Sequence, residues 1–193
     1  MSTIRLAKFL PVSEANGPGR RSVFWTQGCS LGCAGCINRS WSWPKESHTA
    51  QDLTPTELAA MVAPTVEGIS LTGGEPFEQD AGALAKFLDL VSWRGRDDKP
   101  VLIFSGYTLP ELGMMADDNH NVRLILRLVD VLVVGRYQKE LRTQDQPLIG
   151  SSNQHVFFMT DRYNKRSLEQ VLPTEIHIDM DTGTSISTGV TQG

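Results

Sequence analysis

The chain is poor in cysteine, in charge of one sign and in long apolar runs, and each shortage excludes a class of protein. Only three of its 193 residues are cysteine. An odd number so small cannot build the disulfide framework on which small secreted domains rely. Lysine and arginine number 18 against 22 aspartates and glutamates, a net charge of −4. No basic field exists to draw in nucleic acid or an anionic membrane surface. No apolar run approaches the ~20 residues that cross a bilayer. The opening stretch MSTIRLAKFLPVSEANGPG has no apolar segment followed by a small-residue cleavage site. The expectation is a cytoplasmic protein with neither a nucleic acid nor a membrane as partner. No repeat, low-complexity segment or linker divides the chain, so residues 1–193 are read as a single domain able to bury a sizeable core.

Apolar patterning sets the expected fold. Ile4–Leu10 and Val23–Thr26 read as strands around a Gly17-Pro18-Gly19 turn. Thr54 and Pro55 have the chemistry of an N-cap and first helical residue, opening a helix through Val62. Strands are expected at Gly68–Leu71, Val101–Phe104 and Val131–Val134, with helices at Ala81–Val91, Leu109–Met115 and Val122–Leu128. His155–Met159, Glu175–Asp179 and Thr184–Thr188 read as later strands, the last two as a hairpin about Asp181–Gly183. Uninterrupted apolar strands alternating with helices imply an α/β fold whose parallel sheet is covered by helices. A complete eight-stranded α/β barrel takes about 250 residues, so an open or partial barrel is expected. Its site would lie where polar residues and glycines follow the strands.

The three cysteines fall together in Gly28-Cys29-Ser30-Leu31-Gly32-Cys33-Ala34-Gly35-Cys36-Ile37-Asn38, a C-x3-C-x2-C spacing. Clustered thiols in a reducing compartment point to a metal. A 4Fe–4S cubane fully ligated by protein takes four cysteines. With three, one iron stays open to another ligand, as a catalytic centre requires. The same spacing also admits a structural zinc ion with His48 or Asp52 as fourth ligand. Farther along, Gly73-Gly74-Glu75-Pro76 follows an apolar strand. It reads either as a plain turn before a helix or as a place where carbonyls and the Glu75 carboxylate hold a ligand's amino group. Ser105 ends another strand, either as a turn residue or as a hydrogen-bonding group for a ligand. Trp25, Trp41 and Trp43 bracket the cysteine loop as apolar shielding. His48, His120, His155 and His177 read better as surface or strand-end residues than as ligands.

With these pieces together, the chain resembles the radical S-adenosylmethionine superfamily, whose signature is C-x3-C-x2-C. Among its members it is most similar to the small activating enzymes of anaerobic (class III) ribonucleotide reductase. The resemblance rests on Gly17-Pro18-Gly19-Arg20, Gln27-Gly28-Cys29, Cys36-Ile37-Asn38, Leu71-Thr72-Gly73-Gly74-Glu75-Pro76-Phe77, Ser105-Gly106-Tyr107-Thr108, Asp130-Val131-Leu132-Val133 and Gly150-Ser151-Ser152-Asn153-Gln154, in that order. It implies a partial (β/α) barrel of radical-SAM type, open on one side, with Cys29, Cys33 and Cys36 as ligands of a 4Fe–4S cluster and as the catalytic centre. It further implies that S-adenosylmethionine is held by Gly35 and Ile37 at the adenine, by Gly73, Gly74 and Glu75 at the amino group, and by Ser105, with Asn153 also in the site. The implied partners are a glycyl-radical enzyme as protein substrate and a flavodoxin or ferredoxin as electron donor. Two positions depart from the pattern. Val134 stands where a second carboxylate is expected near the rim of the site, and Ile149 where an arginine often precedes Gly-Ser-Ser-Asn-Gln. These departures leave a second reading open, a stand-alone radical enzyme acting on a small molecule such as a nucleotide, sugar or natural-product intermediate.

Overall fold

The computed structural model describes residues 2–42, 49–92, 98–178, 180, 183 and 185–189. Strand β1 (Ile4–Ser13) turns at the Gly/Pro segment into β2 (Arg21–Thr26), and the two pair antiparallel with Phe9 opposite Phe24. A short helix α1 (Arg39–Ser42) and a three-residue strand β3 (Gln51–Leu53) follow, β3 pairing antiparallel with β1. Then come α2 (Pro55–Met61), β4 (Gly68–Gly73), α3 (Ala81–Ser92), β5 (Val101–Ser105), α4 (Leu109–Asp118), α5 (His120–Leu128) and β6 (Val131–Val134). Strand β7 (His155–Phe158) returns antiparallel to β6, completing a seven-stranded sheet in the order β3-β1-β2-β4-β5-β6-β7. Strands β8 (Thr174–Ile178) and β9 (Ser185–Gly189) form a separate antiparallel ribbon.

The fold is therefore mixed α/β. The four central strands β2, β4, β5 and β6 run parallel, as their continuous apolar runs imply. The parallel sheet expected from the sequence is confined to these four strands, and β1, β3 and β7 pair antiparallel toward its edges. A turn as short as the one between β1 and β2 can join only antiparallel neighbours, because a parallel pair needs a crossover of a dozen or more residues. The later helices start where their caps dictate. Thr54 and Thr108 each accept from the backbone N–H three residues on, while Glu57 and Glu111 reach back to the cap N–H.

One face of the sheet packs on the helices. Phe24, Ile69, Leu71, Ile103, Leu132 and Val134 share a core with Leu58, Leu84, Phe87, Leu88, Leu112 and Ile125. Alternate residues point the other way, where Leu102, Val131 and Val133 pack on Leu148 and Ile149. The helices thus cover one face of the parallel strands and leave the other to line a cavity.

The end of the strands away from that cavity is closed by a charge. Arg21 is fully buried, and its guanidinium donates to Ser70 Oγ (2.8 Å), Tyr163 Oη (3.2 Å) and the carbonyls of Pro18 (3.0 Å), Ile69 (2.6 Å) and Pro100 (2.8 Å). Five acceptors meet its five N–H donors. Burial pushes its pKa down, and the charge interaction and hydrogen bond with the Tyr163 hydroxyl oppose that shift. Gly17, at φ +137°, has to be glycine, because a Cβ there would sit 2.8 Å from Arg21 Cδ.

Candidate active site

The parallel strands end at Thr26, Gly73, Ser105 and Val134. Beyond these ends lies a cavity of about 580 Å³ lined by the cysteine loop, the glycines after β4, Ser105 and the loop after β6. Its volume falls within the ~300–1,000 Å³ typical of small-molecule sites. Cys29, Cys33, Cys36, Gly35, Ile37, Gly73, Gly74, Glu75 and Ser105 all line it. Asn153 is not in the lining. Its Nδ2 donates to the Arg136 carbonyl at 2.8 Å, tying down the turn after β6, while its neighbour Gln154 lines the cavity.

The cysteine loop is held at its root by the segment after β4. Gly74 N–H donates to the Thr26 carbonyl (2.8 Å) and Glu75 N–H to the Gly28 carbonyl (2.9 Å). The two chains approach so closely that a Cβ on Gly74 would lie 2.3 Å from Gly28 O, and one on Gly73, at φ +99°, would lie 2.7 Å from Thr26 N and O. The paired glycines are needed for this backbone abutment as well as for any ligand. Gln79 adds a clamp, donating to Gln27 O (3.1 Å) and accepting from Arg5 N–H (3.0 Å). Glu78 accepts from Ser30 N–H with both oxygens (3.0 and 2.9 Å) and from Ser30 Oγ. Neither Glu78 nor Gln79 is legible as a site residue from sequence. The only available hint is that polar residues continue through Glu78-Gln79-Asp80 where a helix would be expected to turn apolar.

Glu75 is almost wholly buried, and its carboxylate is already engaged. One oxygen accepts from Phe77 N–H (3.0 Å) and Ser105 Oγ (2.9 Å), the other from Gly106 N–H (2.8 Å). It stitches the end of β4 to the end of β5. Burial raises its carboxyl to about 7 against the pull of these three donors. The Ser105 hydroxyl donates to Glu75 and accepts from Tyr107 N–H at 3.1 Å, so it too shapes the rim. The loop after β6 is tied back by Gln154, which donates to Gly135 O (2.9 Å) and accepts from Gly150 N–H (2.8 Å). Arg136 forks onto Glu111 with two bonds of 2.9 Å and lies over the Tyr107 ring.

The donor set fits a multi-iron cluster. None of the three thiols is in a disulfide, each is half-buried, and all three line one cavity. Burial pushes the Cys29 thiol up to about 11 and raises Cys33 as well, so the bare thiols stay protonated and a bound cation has to offset the cost of each buried thiolate. Among the described residues no three His, Cys, Asp or Glu side chains gather as they would about a single ion. A core of several irons spreads its ligands more widely. Of the fourth ligands a zinc ion would need, Asp52 is bound to Arg5 at 3.1 Å on the edge strands, and His48 lies outside the described residues.

Trp25 is buried, meets Trp41 edge-on with ring centroids 5.5 Å apart, and lines the cavity with it. Trp43 lies outside the described residues. His120 and His155 open α5 and β7 as exposed residues, and His177 lies on the β8 ribbon strand. The two departures from the family pattern take a different meaning in three dimensions. Val134 is not at the rim. Its side chain is buried in the core shared with the helices, on the face of β6 away from the cavity. Ile149 is likewise buried, packed on Leu102, Val131 and Val133. Both are apolar packing positions, so no charge is missing from the cavity wall.

Residues 15–157 match the family described as a 4Fe-4S single cluster domain. The anaerobic ribonucleoside-triphosphate reductase-activating protein of Enterobacteria phage T4 is 31% identical over 158 residues, covering 80% of this chain and 94% of its own length. The protein of the same description from Pasteurella multocida is 31% identical over 163 residues, 79% of this chain and 96% of its own. That from Vibrio cholerae is 31% identical over 158 residues, with 79% and 97% covered. The cavity, its three thiols and the extent of these matches agree, and the chain belongs to the family of anaerobic ribonucleoside-triphosphate reductase-activating proteins.

Proposed function

We propose that this protein is the radical S-adenosylmethionine enzyme that installs a glycine-centred radical on an anaerobic ribonucleotide reductase. The observation that carries the reading is the convergence of all three cysteines on one cavity at the ends of the parallel strands, in a chain whose relatives are reductase-activating proteins. When bound, the 4Fe–4S cluster and S-adenosylmethionine supply reductive cleavage of the S–C5′ bond, giving methionine and a 5′-deoxyadenosyl radical that takes a hydrogen atom from the glycine Cα.

The chain's own residues bind, orient and shield. Cys29, Cys33 and Cys36 hold the cluster through three thiolates, leaving one iron for the ligand. The backbone of Gly73 and Gly74 at the cavity wall receives the ligand's amino group. Glu75 sets that backbone indirectly, because its oxygens already hold Phe77, Ser105 and Gly106. Gly35 and Ile37 border the adenine, with Ile37 64% exposed at the rim and able to meet either ligand or partner. Trp25 and Trp41 keep water from the reacting centre. Asn153 acts through the Arg136 turn it anchors.

The helix layer on one face of the sheet and the cavity on the other support a partial (β/α) barrel of radical-SAM type, formed as a single domain over 1–193. An open mouth suits a substrate as large as a protein. The electron donor is a flavodoxin or ferredoxin of a reducing, cytoplasmic compartment. Among the described residues no helix is long and apolar enough to cross a membrane. A stand-alone enzyme acting on a small molecule draws its support from Val134 and Ile149, and neither lines the cavity: Val134 is buried against the helices and Ile149 in the apolar cluster on the opposite face.

The test is anaerobic mixing of the reconstituted protein with its reductase, S-adenosylmethionine and a reductant. A glycine-centred doublet in the electron paramagnetic resonance spectrum is expected. No doublet, with 5′-deoxyadenosine formed only when a metabolite is added, would overturn the reading.

A further inference from the structure

Glu78 lies in the 3-10 turn Pro76–Glu78, just past the Gly73–Pro76 motif and 49 positions after Cys29, and nothing in the family pattern above assigns it a role. Its carboxylate makes a dense set of contacts for so open a position. Both oxygens accept from Ser30 N–H, at 3.0 and 2.9 Å, and one also accepts from Ser30 Oγ and from Tyr107 Oη at 3.2 Å. Tyr107 in turn lies under the Arg136 guanidinium. Ser30 follows Cys29 directly, so Glu78 grips the chain one residue beyond the first thiol. Glu75 N–H holds the Gly28 carbonyl one residue before it. Cys29 is thus pinned on both sides by a single turn of chain.

We propose that Glu78 is the positioning residue of the iron–sulfur site. It fixes the Cys29 end of the loop and sets a negative charge beside the cluster, which lowers the cluster's reduction potential. The inference rests on the assignment of the cluster to Cys29, Cys33 and Cys36. The anchoring follows from geometry, because a bidentate charge-assisted bond to a backbone N–H orients the peptide that carries the ligand. The electrostatic effect follows from charge and hydrogen bonding. A fixed anion near the cluster disfavours adding an electron, and a Ser30 N–H committed to Glu78 is not donated to sulfur, where it would raise the potential. A strongly reducing cluster is what cleavage of a sulfonium demands.

The test separates anchor from charge. Glu78→Gln keeps an acceptor for Ser30 and removes the charge, whereas Glu78→Ala removes both. Wild type and both variants are reconstituted anaerobically and assayed for iron and sulfide per chain, for the rate of iron loss to a chelator, and for midpoint potential by a redox titration followed by electron paramagnetic resonance. The expected result is a positive shift of the midpoint potential in Glu78→Gln with its cluster retained. Glu78→Ala is expected to lose iron about tenfold faster than wild type, the lower end of what loss of a ligand's supporting shell costs. An unchanged potential in Glu78→Gln, together with wild-type iron retention in Glu78→Ala, would overturn the inference while leaving the cluster in place. Wild-type protein that takes up no cluster would overturn the cluster assignment as well, so the two failures are distinct.

Discussion

Adding one methyl group at Gly74 should separate the strand end from the cysteine loop. In Gly74→Ala the new Cβ would lie 2.3 Å from Gly28 O and 2.8 and 2.9 Å from Gly28 C and N. All three neighbours are backbone, so no side chain can swing aside and the two segments must part. Overpacking of this kind costs ~1–3 kcal/mol. The Glu75 N–H bond to the Gly28 carbonyl, 2.9 Å in the native protein, stretches with it and forfeits ~0.5–1.5 kcal/mol. The expected loss is about 2–4 kcal/mol, a fall in Tm of about 4–16 °C for a chain of this size. Gly113→Ala is the matched control. That glycine lies inside α4 with nothing within 4 Å of an added Cβ, so the change should stabilise by ~0.5–1 kcal/mol through helix propensity. Urea unfolding of the metal-free proteins reads both. A Gly74→Ala variant within about 0.5 kcal/mol of wild type, the range of an ordinary surface change, would refute the claim that these glycines serve backbone abutment.

Three further outcomes are expected. Burial holds the Glu75 carboxyl near 7 in the folded protein against an ordinary 4.5. Between those values the native state keeps a proton that the unfolded chain releases. Stability should therefore fall by about 3 kcal/mol as pH rises through that window, and Glu75→Gln should abolish that slope; urea midpoints showing the same slope in both proteins would count against it. Arg21→Met strands buried carbonyls of Pro18, Ile69 and Pro100 along with two hydroxyls and should cost ~3–5 kcal/mol, with Arg21→Lys recovering part; a loss in Arg21→Met below ~1 kcal/mol would mean that the buried cation is dispensable. Each of Cys29→Ser, Cys33→Ser and Cys36→Ser should fail to retain the wild-type iron content after reconstitution, and a variant that keeps full iron would remove that thiol from the ligand set.

What was legible in the sequence was whatever depends on neighbours along the chain. Val131–Val134 reads as a buried strand because four apolar β-branched and leucine residues stand between Asp130 and Gly135, and β6 has those bounds. Thr54 and Thr108 announce their helices through local hydrogen bonds. The Cys loop was legible for the same reason, since its chemistry lies within eight residues. Strand β3 was not, because Gln51-Asp52-Leu53 has neither period nor apolar content and forms only by pairing with β1 at the sheet edge. Ser105 and Glu75 were legible as residues near the cavity but not as partners of each other, a contact 30 positions apart. Glu78 and Gln79 are not legible at all, because each acts only on a loop that the fold brings to it. Val134 marks the reverse error. Its place in a motif located it at the rim, and the pleat turned its side chain to the helices.

The central claim is that the cavity delivers a hydrogen-abstracting radical to a glycine of a partner enzyme. The most direct measurement uses an anaerobic ribonucleotide reductase produced with α-deuterated glycine, mixed with the reconstituted protein, S-adenosylmethionine and a reductant in the absence of oxygen. The 5′-deoxyadenosine is then weighed by mass spectrometry. Monodeuterated 5′-deoxyadenosine, formed in step with the protein radical, is the result expected. Unlabelled 5′-deoxyadenosine with no protein radical would contradict the account.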